Sequence, residues 1–328
     1  MWDFDTGLSL AALRRTMPFI LLRMAVYFGI TVAYVAATGL GAGIGWTFGV
    51  FGSDDFQATT TFWGGAFGIG GVSLALYWLR EYILYMVKAA HIAVLVGVLD
   101  GTEPPAGRGQ LEHGAAIVKD RFAEANVLFV LDRAIKAVVR MVSGLIGFVS
   151  DFLPIPGIQA LARFADAVLR VAVTYVDEII LAYNIRVRSD NPWDTSKDAL
   201  ILYAQNSGLI LKNAVWLAVF MYLAAFIIFL VMIAPAAALL YVLPGDWSSF
   251  GFVLALVFAW SLKQAILEPF AITCLMQVYF KAIEGQQPDP VWDERLSAAS
   301  GRFREMKERA IDWARGRSSA YSLSRNNS

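Results

Sequence analysis

The sequence predicts an all-α polytopic membrane protein with four transmembrane helices, a central amphipathic or re-entrant helical hairpin and the marks of a parallel internal repeat. Three observations carry this. Of 328 residues, 58% are hydrophobic and only 16% charged, where soluble chains carry about 25% charged residues. Lys and Arg are absent between Arg23 and Arg80 and again between Lys212 and Lys263. Each gap holds two apolar runs around a polar turn, and a spanning helix needs about 20 apolar residues.

Residues 1–23 read as a cytoplasmic arm. Acidic residues and Trp2 come first, the basic pair Arg14-Arg15 comes late, and no small-residue cleavage site follows a short apolar core, so the arm does not have the pattern of a secretory signal. Residues 24–122 form the first transmembrane pair with a cytoplasmic extension. Its first span covers 24–43, and its turn carries Gly52, Ser53, Asp54 and Asp55. The second span starts near Phe62 and runs past Trp78. No proline interrupts the chain from Phe62 to Leu99, so a continuous helix would extend about 57 Å, against a hydrocarbon core of about 30 Å. Arg80, Glu81, Lys88 and His91 are therefore expected at or below the inner interface.

Residues 123–198 hold two amphipathic helices. Arg133, Lys136 and Arg140 recur at i, i+3, i+7, as do Arg163, Asp166 and Arg170, with Pro154, Pro156 and Gly157 between them. The pair has three readings: lying in the interface, dipping partway as a hairpin, or spanning. The stretch 141–162, with Asp151 as its single charge, favours the dip.

Residues 199–288 form the second pair, with spans over 214–242 and 250–278 and a turn at Pro244–Ser248. Both turns carry acids and no bases, while bases lie in the arm, in 108–212 and from Lys281 onward. The positive-inside rule then puts both termini and the middle in the cytoplasm. The lack of eukaryotic targeting signals points to a bacterial inner membrane. The tail, residues 289–328, repeats Trp292, Leu296, Phe303, Met306 and Ala310 at helical spacing. Its charges suit anionic headgroups, a second copy of the chain or another membrane protein, and its end is expected to fray.

The two halves look alike. Trp78 and Trp260 each precede a long apolar helix, which ends in Gly101-Thr-Glu-Pro-Pro105 in one half and Gly285-Gln-Gln-Pro-Asp-Pro290 in the other. Shared composition alone is the competing explanation.

The run from Thr195 through Ser196, Lys197, Asp198 and Ala199 to Asn206 resembles a segment of choline transporter-like proteins that precedes a late membrane helix. The end of the first span, Tyr34 to Gly39, is similar to that family's helix end, and the resemblance covers most of the chain in order. A second resemblance, over residues 8–230, is to CysZ-like sulfate permeases. It rests on Gly101 to Pro105 after a long helix and on a hairpin turning at Ile155 to Ile158. The additional last span and tail depart from that pattern. Both resemblances imply movement of a small solute, and they differ in the sign of its charge.

Glu268, followed by Pro269, is the first candidate on a substrate or ion path, because an acid inside a span is costly unless paired or used. The alternative is that the chain has left the membrane by residue 263 and Glu268 is solvated. Lys263 lies five positions earlier, off the ideal face. Arg80 and Glu81 occupy the related place in the first half, where Arg80 either pairs with Glu268 or snorkels. Asp177, beside Glu178, either faces a cavity or lies on a solvated helix end, the favoured reading. Trp260, with Trp63, Trp78, Trp216 and Trp247, either contributes to a cage for a quaternary ammonium or belongs to the interfacial aromatic belt.

His113, Glu112 and Asp120 read as a solvated connection, and Cys274 as a small apolar packer. No metal or cofactor is expected. Balanced charge, 27 bases against 27 acids, excludes a basic nucleic-acid surface. No nucleophile-base or metal constellation is readable, so an enzyme is not expected. Gly39, Gly41, Gly43 and Gly45 offer small-xxx-small helix contacts. The chain reads as a transporter or channel-like permease for a small polar or charged solute, a choline-like cation or an inorganic anion, in contact with the lipid bilayer. The alternative is a membrane scaffold.

Overall fold

The computed structural model describes residues 2–121, 135, 174–188, 190–242 and 250–326; residues 76–83, 108, 121, 239–242, 250–254 and 316–326 are described by backbone alone. Among the described residues the fold is all helical. The helices are α1 (Thr6–Arg15), α2 (Met17–Gly49), α3 (Asp54–Leu99), α4 (Arg108–Arg121), α5 (Val176–Val187), α6 (Pro192–Gln205), α7 (Ser207–Val242), α8 (Phe250–Leu262), α9 (Glu268–Ala282), α10 (Pro290–Ala299) and α11 (Gly301–Asn326), with a π-helical turn, Lys263–Leu267, between α8 and α9. Apart from Ile135, the hairpin residues from Arg133 to Arg170 lie outside the described residues, as does the turn Pro244–Ser248.

Three helical stretches are long and apolar enough to cross a membrane: Met17–Gly49, Ser207–Ala238 and Ala255–Ala282. They coincide with the expected first, third and fourth spans. The expected second span falls in α3, a single helix of 46 residues and thus about 69 Å long.

Polar side chains and glycines set the helix ends. Asp5 caps α1, accepting from Leu8 N–H at 2.9 Å. Asn191 and Asp289 cap α6 and α10, each followed by Pro at the first helical position. Gly101 ends α3 with φ +84°. There Thr102 N–H reaches the Gly97 carbonyl at 2.8 Å and Gly101 N–H reaches Val98 at 3.2 Å, a closure that favours glycine.

The chain forms two compact units, each built from segments distant in sequence. The first contains residues 17–88 and 223–269. In it, Tyr27, Ile30, Leu84 and Ala265 form a buried cluster. Its outward side chains are large and apolar: Val32, Leu40 and Ile44 on α2, Phe62 and Phe67 on α3, and Phe226 and Ile227 on α7 are all exposed. Water would penalise that surface and lipid would not.

The second unit contains residues 1–16, 89–222 and 270–328. The N-terminal arm is tied down: Asp3 accepts from Lys212 Nζ at 2.9 Å and Asn213 Nδ2 at 2.8 Å. Helix α11 docks on α6. The stripe Phe303, Met306 and Ala310 is buried, Asn191 Nδ2 donates to the Ala310 carbonyl, and Trp313 Nε1 donates to that of Asp190. The tail's apolar face is thus used within the chain.

Candidate functional site

In the first unit, α2 carries Arg23, Tyr27 and Thr31 four residues apart, so they stand one above another on one face of the helix. All three are buried. The Arg23 guanidinium is buried beside the carboxylate of Glu268, with Nη1 and Oε2 3.5 Å apart. Lys88 on α3 binds the other carboxylate oxygen, Oε1. Glu268 thus stands between two cations from two other helices. The side chains of Arg23 and Glu268 are 2% and 6% exposed, and that of Lys88 is 22% exposed, so Lys88 is the most exposed of the three.

The backbone explains why Arg23 meets this helix here. Pro269 has no N–H and would clash with a regular preceding turn. The chain answers with the π turn, in which Glu268 N–H bonds the Lys263 carbonyl five residues back. The Gln264 carbonyl would take Glu268 N–H in an α-helix, or residue 269 N–H in a π-helix. The first is directed to Lys263 and the second does not exist. Arg23 Nη1 donates to this carbonyl instead, at 3.5 Å. The π turn therefore both re-registers the helix and supplies Arg23 with an acceptor, in keeping with the frequent placement of such turns at functional sites.

Further along the same face of α2, the hydroxyls of Thr31 and Ser261 share a hydrogen bond at 3.0 Å. Tyr27 meets Trp260 edge to face at 5.6 Å. Tyr34 and Ser73 share a hydrogen bond at 3.1 Å. Beyond this point α2 and α3 close on each other through glycine. A Cβ on Gly41 would overlap the Gly64 carbonyl, and one on Gly64 the Gly41 carbonyl; Gly45 and Gly68 face the Thr60 and Ala37 carbonyls in the same way. Gly39 and Gly43 face open space, so only part of the alternating glycine run makes the contact.

Of the expected path residues, Glu268 is buried and ion-paired, which overturns the solvated alternative. Lys263 is half-buried on the π turn and has no ion pair with Glu268 among the described residues. Trp260 is partly exposed and packs on Tyr27. Arg80 and Glu81 lie on α3, and their side chains, like those of Trp78 and Trp247, lie outside the described residues. Asp177 belongs to the second unit, where it and Glu178 are buried, not on a solvated helix end. Trp63 and Trp216 are exposed, as interfacial aromatics would be. His113, Glu112 and Asp120 are exposed, and Cys274 is buried against the Ser9 hydroxyl.

The sequence does not single out Arg23 and Lys88 as partners of Glu268. Arg23 marks the edge of a base-free gap and so reads as the end of the cytoplasmic arm, and Lys88 reads as lying at or below the inner interface. The usable signal was the i, i+4, i+8 recurrence of Arg23, Tyr27 and Thr31 inside an apolar helix.

The residues from Thr195 to Asn206 serve a structural role in the second unit. Ser196 is buried and accepts from Asn184 Nδ2 at 2.8 Å. Lys197 bridges Asp194 at 2.7 Å and Asp198 at 3.1 Å. Burial pushes the Asp198 carboxyl up against the opposing pull of Lys197. Burial works against charge on Lys197, but the two carboxylates outweigh it and raise its pKa. Asn206 and Gln286 exchange reciprocal amide hydrogen bonds at 2.8 and 3.2 Å.

No family model, curated protein or solved structure gives a significant match to this chain.

Proposed function

We propose that this chain is an integral membrane protein that moves a small polar or charged solute across a bilayer, as a permease or channel-like carrier without ATP hydrolysis of its own. The observation that carries the reading is the Arg23–Glu268–Lys88 cluster. Buried charge among helices with apolar outer faces is costly, and ion pathways are its usual setting. In this reading α3 supplies the fourth span, both termini face the cytoplasm, and the membrane is the inner membrane of a bacterium. Glu268 and Arg23 act directly on the solute. Lys263 and Arg80 set the charge of its approach.

The glycine-closed contact of Gly41 with Gly64 favours a second reading, a membrane scaffold whose helices pack without a path. The charged outer face of α11 is then the place for a partner or a second copy.

Flux in proteoliposomes of the purified chain tests the two. Saturable uptake of choline or sulfate that changes with Glu268→Gln supports a carrier. Uptake unaffected by Glu268→Gln removes that residue from the path. No uptake of either solute favours the scaffold.

A further inference from the structure

We propose that the Arg23 guanidinium is a binding site for the anionic group of the solute, a carboxylate or small oxyanion, and that Glu268 is a tethered occupant which that anion displaces. The inference rests on the carrier reading and specifies its solute class.

Arg23 is 1% exposed. A guanidinium has five N–H donors in a fixed fork, and such a fork usually takes a carboxylate or phosphate through two parallel bonds. Here it is underused. Its hydrogen bond to the Gln264 carbonyl is long, 3.5 Å. The Glu268 oxygen is also 3.5 Å away, beyond the usual range of about 2.7–2.9 Å for a charge-assisted bond. Its Nε, fully buried, has no hydrogen-bond partner among the described residues. A buried donor left without an acceptor is destabilising, so the site is preformed for an acceptor that Glu268 does not fully provide.

Lys88 binds the other Glu268 oxygen, so Glu268 keeps a cation when the anion takes its place on Arg23. The partial exposure of Lys88 marks the side of entry. A cationic solute entering on that side would meet Lys88 before it reached the acid.

The two solute signs predict opposite effects of one substitution. If the solute is an anion, Glu268→Gln removes a competitor and tightens binding. If it is a cation, the same change removes the ligand and abolishes binding. The test is a thermal-shift titration of the full chain in phospholipid-free detergent. Sodium acetate, sodium phosphate and choline chloride are the probes, and short-chain phosphatidylglycerol is a separate arm.

The expected result is saturable stabilisation by acetate or phosphate. Affinity should rise at least tenfold in Glu268→Gln, fall at least tenfold in Arg23→Lys and vanish in Arg23→Gln. Should Arg23→Gln fail to fold, the opposite shifts in Glu268→Gln and Arg23→Lys decide. The proposal is overturned if neither free anion binds the wild type or Glu268→Gln, if Glu268→Gln weakens binding, or if only the lipid binds.

The carrier reading fails separately. Anion binding without flux in proteoliposomes would remove transport and leave the site. Choline flux lost in Glu268→Gln would keep transport and remove the anion site.

Discussion

The two ends of the first unit solve the same packing problem in opposite ways. Toward the turn after α2, α2 and α3 touch backbone to backbone at Gly41, Gly45, Gly64 and Gly68, leaving no room for a side chain. Toward the start of α2, the interior holds Arg23, Lys88 and Glu268, with the Thr31–Ser261 hydrogen bond about two turns further along. Glycine contact gains dispersion and excludes everything else. Buried charge adds little net stability and is retained for another reason. One end of the unit is therefore built to hold, and the other is the end we propose to bind solute.

Substitutions separate the two ends. Glu268→Ala removes the carboxylate from the buried Arg23 and the half-buried Lys88 and should cost about 3–5 kcal/mol, seen as a large fall in Tm in detergent. Replacing Arg23, Lys88 and Glu268 together with Met, Met and Leu should recover most of that loss while abolishing solute binding. If the triple variant is as unstable as Glu268→Ala, the cluster is structural and the comparison fails.

At the glycine end, Gly64→Val forces backbone apart. It should cost about 1–3 kcal/mol or more, because the atom it meets is a main-chain carbonyl. Gly43→Ala meets open space and should stay within about 0.5 kcal/mol. Equal effects at both positions would mean that the helices do not approach there.

Pro269→Ala returns the missing N–H. The π turn should relax toward α-helix, turning Glu268 by about 100° relative to α8 and giving the Gln264 carbonyl a backbone donor in place of Arg23. Stability should rise slightly and flux should fall. A rise in both would remove the π turn from the mechanism.

The smallest effect lies outside the pair of ends and serves as a control. Hydrogen bonds from Lys212, then Asn213, hold the Asp3 carboxyl below its ordinary value of 3.8. A carboxyl lowered by folding contributes stability above its unfolded pKa and loses it as pH falls through the folded value. Acidification below pH 3.8 should therefore loosen the arm, read as a change in Trp2 emission as it leaves Trp216, 5.7 Å away. Asp3→Asn should remove that transition and leave flux unchanged.

Much of this architecture was legible in the sequence. The base-free gaps marked the apolar helices, and Gly101 and Gly285, both at positive φ, were recognised as breaks after long helices. Glu268 stood out because an acid beside proline in an apolar run is rare. What was not legible was depth. Arg23 reads identically whether it snorkels or turns inward, and only its alignment with Tyr27 and Thr31 distinguishes the two. Pro269 announced a departure from α-helix without specifying a π turn, because that choice depends on what accepts the freed carbonyl. Asp177 and Glu178 are buried for a reason the sequence does not carry: a charged first turn looks solvated until another element covers it.

Site-directed thiol labelling tests the contrast between the ends most directly. In a Cys274→Ala background, single cysteines at Thr31 and at Ala37 would be exposed to a membrane-impermeant maleimide in proteoliposomes. The account predicts labelling at residue 31, slowed by the bound anion, and none at residue 37, which packs against Gly68. Equal labelling at both positions, or labelling at 37 alone, would contradict it.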